Sequence, residues 1–127
     1  MDAKKHDYIL SITSHIPHLI AYNIVNTTLN AQDKKESDVI KYSAGGLRDF
    51  TRIAASNPIM WRDVFIQNKK NTSNMIDNFI VNLEKLKKAI ENEDGKKLEE
   101  IFLKTKKIRK NIIEAGQDVE KPNFGRK

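Results

Sequence analysis

Apolar residues recur at helical spacing along almost the whole chain, and this pattern constrains the fold more than any other feature. In the first third, five of them project to one side of a helix at 100° per residue: Ile9, Ile12, Ile16, Leu19 and Ile20. Signals for strands are nearly absent, since there is no Asn-Gly hairpin turn and no sustained two-residue alternation. We therefore predict an all-α fold, formed as a single domain over residues 1–127.

Turn residues divide this pattern into helices. We predict a first helix over 7–29, with a kink or break at Pro17 because proline lacks the backbone N–H. A polar loop over 30–38 and a Gly45-Gly46 turn precede a short helix over 47–55. Ser56 or Asn57 can cap the next helix, predicted over 58–91 with Pro58 at its first position. A final helix follows the Asp94-Gly95 turn, and 116–127 form a loose tail.

The predicted length of the central helix bears on assembly. A helix over 58–91 would be about 50 Å long at ~1.5 Å per residue, whereas a compact domain of this size is roughly 36 Å across. Apolar positions continue along that length and need a cover. The sequence thus predicts one long central helix in an intertwined, two-fold symmetric homodimer.

Composition excludes several classes of protein. Without cysteine there are no disulfides, thiol nucleophiles or thiolate metal sites. No apolar run approaches the ~20 residues of a membrane span, and the polar N-terminus lacks the apolar stretch of a signal peptide. We expect a cytoplasmic protein without a membrane partner.

A net charge of +6 raises nucleic acid as a partner. The densest basic cluster, however, lies in a helix whose bases are otherwise interrupted by acids, which is typical of a solvated face. That cluster comprises Lys104, Lys106, Lys107, Arg109 and Lys110. Nucleic acid is therefore not the expected partner, although a basic helical module that binds nucleic acid or protein remains the alternative reading.

The segment after Gly45-Gly46 carries the chemistry of acid recognition. A glycine turn that opens a helix exposes backbone N–H groups at the positive end of the helix dipole. Arg52 adds a planar fork that can grip a carboxylate, and Asp49 can pair with it. Trp61, the only tryptophan, lies close by in sequence. The alternatives are surface ion pairs for the charged residues, a plain turn for the glycines and a core anchor for Trp61.

A narrow polar stripe on the first helix adds two imidazoles. Ser11, His15, His18 and Tyr22 fall at helical spacing on the side opposite the isoleucines. The histidines either line a polar pocket and donate to an anion, or cap backbone groups freed by Pro17. Zinc is not expected, because no further residue completes a tetrahedral set around the His-x-x-His pair.

The sequence also lacks catalytic signatures. It has no Gly-x-Gly-x-x-Gly, no Gly-Lys-Ser/Thr loop and no legible pair of nucleophile and base. The residues by themselves predict a dimeric helical module that binds a small acid and contributes no catalytic residue.

Several blocks of the chain resemble a known family. The blocks are 6–7 (HD), 14–19 (SHIPHL), 45–54 (GGLRDFTRIA), 57–63 (NPIMWRD) and 113–118 (IEAGQD). They are similar to the C-terminal domain of the prephenate/arogenate (cyclohexadienyl) dehydrogenase family of tyrosine biosynthesis. The resemblance covers nearly the whole chain.

The resemblance implies a helical dimerisation domain that closes one side of an active site for oxidative decarboxylation of prephenate or arogenate. It implies that Arg52 holds a substrate carboxylate with Asp49 paired to it, that His18 contacts the substrate and that His15 supports the pocket wall. It also implies a pocket border shared in part with the partner subunit, formed by Gly45, Gly46, Met60 and Trp61. Tyrosine is a candidate inhibitor, since its carboxylate suits the same arginine.

One part of the family pattern is missing from this sequence. Family enzymes carry an N-terminal Rossmann domain with the glycine fingerprint and the catalytic histidine, and neither is present here. The full enzyme would use NAD or NADP, while this chain is expected to bind no cofactor. We therefore expect no dehydrogenase activity from the chain alone.

Overall fold

The computed structural model describes residues 1–32 and 44–118, and within these two stretches the regular structure is entirely helical. The helices are α1 (Ala3–Leu10), a π-helical turn (Ser11–His15), α2 (Ile16–Gln32), α3 (Gly45–Ala54), α4 (Pro58–Gln67), α5 (Lys69–Glu91) and α6 (Gly95–Glu114). The predicted all-α class is confirmed. The predicted loop over 30–38 falls mostly outside the described residues.

Contacts divide the described chain into two compact units, Met1–Ile76 and a second that starts at Asp77. In the first unit, α2 packs against α3. The Tyr22 hydroxyl on α2 donates to the Ser56 carbonyl just after α3, at 3.0 Å. That the chain folds as a single domain stays a prediction.

Capping residues explain where several helices begin. The Asp2 side chain accepts from the Lys5 N–H at 2.8 Å at the start of α1, and Asp94 does the same for Lys97 at 3.1 Å at the start of α6. The Asn57 side chain accepts from the N–H groups of the second and third residues of α4, with Pro58 at the first position. The predicted helix start at Pro58 is confirmed, whereas the final helix begins at Gly95 itself and not after an Asp94-Gly95 turn.

The first helical run is longer than predicted and is not broken at Pro17. It extends from Ala3 to Gln32, and the distortion takes the form of the π-helical turn that ends two residues before Pro17. A π turn holds more residues than an α turn and so absorbs a local mismatch without ending the helix. Within it, the Ser11 hydroxyl donates to the Tyr8 carbonyl at 2.6 Å.

The prediction of one continuous helix over 58–91 is wrong. The chain leaves the α conformation at Asn68, where φ is −108° and ψ is 35°, and α4 and α5 lie on either side. The side chain of Asn68 is drawn toward the N-terminal helix, where its amide donates to the Asp7 carbonyl at 2.9 Å. The longer of the two resulting helices, α5, has 23 residues and is about 35 Å long. The length of the central helix therefore no longer supports the predicted homodimer.

Gly45 and Gly46 form the first turn of α3 instead of a turn ahead of it. After α6, Gly116 has a positive φ of 76°, and the Arg109 guanidinium donates to the Asp118 carboxylate at 2.7 Å. Most of the predicted tail, 119–127, lies outside the described residues. Among the described helices, none is long and apolar enough to cross a membrane.

Candidate functional site

The polar stripe predicted on the first helix is one of the best buried surfaces of the described chain. Ser11 is fully buried and His15 is only 9% exposed, whereas Ile12, on the predicted apolar side, is 38% exposed. The stripe is buried because its members contact later parts of the first unit: Tyr22 reaches the end of α3, and both histidines reach α4. Buried polar groups need partners, and each of the four residues of the stripe has one.

His18 stacks on Trp61. The ring centroids are 3.9 Å apart and the planes differ by 18°, while Trp61 itself is buried and also contacts Phe65. The His18 Nδ1 lies 2.9 Å from the Ser14 carbonyl oxygen, which only accepts, so Nδ1 donates. The imidazole is thus held on two sides, and no partner of Nε2 lies within 1–32 or 44–118.

His15 meets the same indole edge-on, with centroids 6.1 Å apart and planes at 81°. Its Nδ1 lies 3.1 Å from Nδ2 of Asn68. Burial lowers the pKa of His15 below its ordinary value of 6.5, and the charge of Asp7 acts in the opposite direction. His15 is therefore held in its neutral form more firmly than a solvated histidine.

Arg52 lies in the last turn of α3, with its side chain 58% exposed. Its Nη2 lies 3.8 Å from Oδ1 of Asp49, an i,i+3 pair at the limit of an ion pair. The structure shows no hydrogen bond, ion pair or ring contact between Arg52 and either imidazole or the indole within the described chain. The guanidinium is accessible and loosely held.

The first turn of α3 presents open backbone groups. Ala44 occupies the N-cap position and supplies no side-chain hydrogen bond to the turn. A Cβ placed on Gly45 or Gly46 would meet no atom within 4 Å, so packing of the described residues does not require glycine at either place. Met60, in the first turn of α4, is half exposed.

The structure thus brings together three of the predicted site residues, His15, His18 and Trp61. It shows no direct polar or ring contact from these three to the other predicted members, which are Gly45, Gly46, Asp49, Arg52 and Met60. It adds Asn68, which sequence reasoning missed because an asparagine inside a helical pattern carries no signal of a contact 53 residues away. The roles of the predicted site residues in binding stay predictions.

No group of three or more histidine, cysteine, aspartate or glutamate side chains is placed to hold a metal ion in the part of the chain that the structure covers. The two histidines use their Nδ1 atoms for Ser14 and Asn68. The His18 ring donates to the Ser14 carbonyl, whereas the carbonyl that Pro17 leaves without its usual N–H partner is that of Thr13, so capping of groups freed by Pro17 stays a prediction.

Comparison with known proteins adds an independent line of information. The family model described as prephenate dehydrogenase, dimerization domain, matches residues 2–104. Cyclohexadienyl dehydrogenase of Zymomonas mobilis is 40% identical over 109 residues, and prephenate dehydrogenase of Bacillus subtilis is 35% identical over 112 residues. These alignments cover 86% and 88% of this chain, but 37% and 30% of the respective relatives.

A solved structure of a prephenate dehydrogenase is also similar to this chain. The crystal structure of prephenate dehydrogenase from A. aeolicus in complex with hydroxyphenyl propionate and NAD+ matches with a TM-score of 0.81 and 41% sequence identity. The match covers 88% of this chain and 39% of that one. The chain therefore spans less than two fifths of the length of these relatives.

Proposed function

The chain belongs to the family of prephenate dehydrogenase dimerisation domains, and from that premise we propose that it supplies the substrate-binding half of a prephenate or arogenate dehydrogenase. The complete enzyme would oxidatively decarboxylate a cyclohexadienyl acid on the route to tyrosine, with NAD or NADP as the hydride acceptor. This chain would hold the acid and join two protomers.

The stack of His18 on Trp61 carries the proposal. An imidazole that is fixed at Nδ1 by a carbonyl and on one face by an indole presents Nε2 in a defined place. When the ring is protonated, both nitrogens donate, so Nε2–H is available to a ligand carboxylate. Such preorganisation lowers the entropy lost when a ligand binds.

Arg52 would form a second contact with a ligand carboxylate. A guanidinium grips a carboxylate through two parallel bonds, and the 3.8 Å spacing to Asp49 leaves its fork uncommitted. Asp49 would orient the fork from one turn away. The open N–H groups at Gly45 and Gly46 would add partial positive charge on the same helix.

The pocket border would be completed by assembly. Met60 is half exposed at the start of the same helix as Trp61, where a partner subunit can reach it. In the second unit, α6 and the part of α5 from Asp77 onward also present exposed apolar side chains, among them Leu83, Ile90, Phe102, Ile108 and Ile112. These exposed apolar side chains support a homodimer, although the length of the central helix does not.

The residues present do not fit a dinucleotide. The chain lacks the glycine fingerprint, and among the described residues the Gly45-Gly46 turn of α3 forms no tight cradle, since added Cβ atoms would meet none of their atoms within 4 Å. Cofactor binding would therefore belong to another domain of the enzyme. On this proposal the purified chain, given prephenate and NAD+, produces no NADH.

Calorimetry with hydroxyphenyl propionate tests the binding role. We expect the purified chain to bind this acid and to bind its neutral amide at least about tenfold more weakly, because the amide lacks the charge that Arg52 and His18 recognise. Equal affinity for acid and amide, or no heat with either, would contradict the proposal.

A gel shift with duplex DNA and RNA addresses the alternative function of a basic binding module. Release of counterions would make such binding steeply dependent on salt. Within the basic cluster, Arg109 is paired with Asp118. We expect no shift at physiological ionic strength.

A further inference from the structure

Asn68 connects the helix break to the histidine pair. It lies between α4 and α5, and its side-chain Nδ2 is 2.9 Å from the Asp7 carbonyl oxygen and 3.1 Å from the His15 Nδ1. Its Oδ1 lies 3.0 Å from Nδ2 of Asn71. One amide therefore contacts the first helix at two places, 61 and 53 residues away in sequence.

The chemistry of these partners determines the orientation of the amide. A backbone carbonyl only accepts hydrogen bonds, so the amide atom that faces Asp7 must be the donor, Nδ2. The other side of the amide is then Oδ1, which suits the amide nitrogen of Asn71. The orientation follows from an obligate acceptor and not from a choice between two similar atoms.

The tautomer of His15 follows from that orientation. The same Nδ2 faces His15 Nδ1, so this ring nitrogen must accept, and in a neutral ring the proton then lies on Nε2. We infer that Asn68 is a positioning residue that holds His15 as the neutral Nε2–H tautomer, so that His15 offers one N–H donor to the ligand carboxylate. The donor role rests on the proposed function, whereas the tautomer does not.

The surroundings of His15 favour the neutral ring. The charged or titratable groups that act on it are Asp7, His18 and His6, all on its own helical run. The elements packed against it present Trp61 and Asn68, and neither side chain titrates. Burial lowers the pKa of His15 and outweighs the opposing charge of Asp7.

A change of Asn68 to aspartate separates positioning from mere packing. Asp has nearly the same shape as Asn, but its carboxylate only accepts. In Asn68→Asp the bond to the Asp7 carbonyl is lost, and the contact with His15 persists only with the proton on Nδ1, while the added negative charge raises the pKa of the ring. Asn74→Asp is the matched control, because it puts the same charge on an exposed position of α5, the helix that follows Asn68.

Nitrogen-15 NMR of the full chain without ligand measures the tautomer. We expect His15 in the unmodified protein to show an unprotonated Nδ1 and a protonated Nε2 at pH 8. Asn68→Asp should exchange the two signals, and Asn74→Asp should leave them unchanged. A protonated Nδ1 in the unmodified protein overturns the inference, and so does an Asn68→Asp spectrum identical to the control. The unmodified spectrum decides the matter even if the variant fails to fold.

Binding of hydroxyphenyl propionate then tests the donor role. At pH 8 we expect Asn68→Asp to bind about fivefold more weakly than Asn74→Asp, the effect of losing one hydrogen bond worth ~1 kcal/mol. The deficit should shrink at lower pH, where the ring gains its second proton and Nε2 donates again. Equal affinities at every pH refute the donor role. If the unmodified chain binds no acid while the tautomer is as inferred, the proposed function fails and the positioning of His15 stands.

Discussion

The imidazole of His18 lies face to face with the indole of Trp61, with centroids 3.9 Å apart. Because Trp61 also meets His15 edge-on, one indole sets the position of both histidines. The two rings sit on the first helical run and the indole on α4, so the arrangement exists only when these elements are packed together. Stability of the first unit and geometry of the candidate site are therefore linked.

Removing the indole should lower stability strongly. Trp61 is 8% exposed, and truncation of a buried Trp to Ala typically costs ~3–5 kcal/mol of the free energy of unfolding. Urea denaturation of Trp61→Ala measures this loss. The control is Ile59→Ala on the same helix, where the side chain is 62% exposed and the expected loss stays below about 1 kcal/mol. Equal losses in the two variants would show that the indole is not an anchor.

The Tyr22 hydroxyl should contribute one hydrogen bond to the packing of α2 on α3. Tyr22→Phe removes the donor to the Ser56 carbonyl and leaves the ring, so we expect a loss of ~1 kcal/mol in the free energy of unfolding. Tyr8→Phe is the matched control, since the Tyr8 side chain is exposed. A Tyr22→Phe protein as stable as the control would contradict the prediction.

Arg52 should matter for binding and not for folding. Arg52→Lys keeps the charge but loses the planar fork, so affinity for hydroxyphenyl propionate should fall at least about tenfold. The pair with Asp49 is exposed and long, and its loss should change stability by less than ~0.5 kcal/mol. Arg48→Lys on the same helix serves as the control in both calorimetry and urea denaturation. Matching affinities in the two variants would count against Arg52 as the carboxylate ligand.

Burial of His15 should make the protein less stable in acid. The folded-state pKa is lowered from 6.5, so the unfolded chain binds the proton more readily and stability rises with pH. The contribution is complete above pH 6.5 and is lost as pH falls from 6.5 toward the folded-state pKa.

Urea midpoints for the unmodified protein and His15→Gln test this dependence. The difference in urea midpoint between the two proteins should decrease progressively as pH is lowered below 6.5. His6→Gln, at an exposed position, is the control and should retain the acid sensitivity. A constant gap across this range would show that His15 does not titrate with folding.

If a homodimer covers the apolar face of α6, a charge introduced on that face should dissociate the dimer, whereas a charge on the opposite face should not. Ile108 is 57% exposed and lies with Leu98 and Phe102 on one side of the helix, whereas Lys107 lies on the other. Ile108→Glu should yield a monomer in sedimentation analysis, and Lys107→Glu should stay dimeric. Monomers in the unmodified protein would remove the basis of the assembly.

The sequence was sufficient where the determining contacts are local. The start of α4 follows from two adjacent residues: Asn57 accepts from N–H groups two and three positions ahead, and Pro58 is the first residue of the helix. The spacing of His15 and His18 likewise placed both on one helical stripe. Periodicity predicts which side chains share a face of a helix, but it does not predict which residues that face packs against.

Contacts between distant residues explain the rest. At the break, the side chain of Asn68 bonds to the Asp7 carbonyl, 61 residues away, and no proline or glycine marks the position. The polar stripe is buried because Trp61 and Asn68 arrive from later elements, which the hydrophobic pattern of the first helix does not reveal. Tertiary packing thus overrode the local expectation at both places.

The π-helical turn at Ser11–His15 has a consequence for how this chain tolerates insertions and deletions. It holds about one residue more than an α turn, which rotates everything on its far side by roughly 100° relative to an unbroken α-helix. Loss of a single residue there, with a return to ordinary winding, would leave α1 at nearly its present angle, whereas one further inserted residue would rotate α1 by roughly 100° and carry the Asp7 carbonyl away from Asn68. The first helical run should therefore tolerate a one-residue deletion within this turn better than a one-residue insertion.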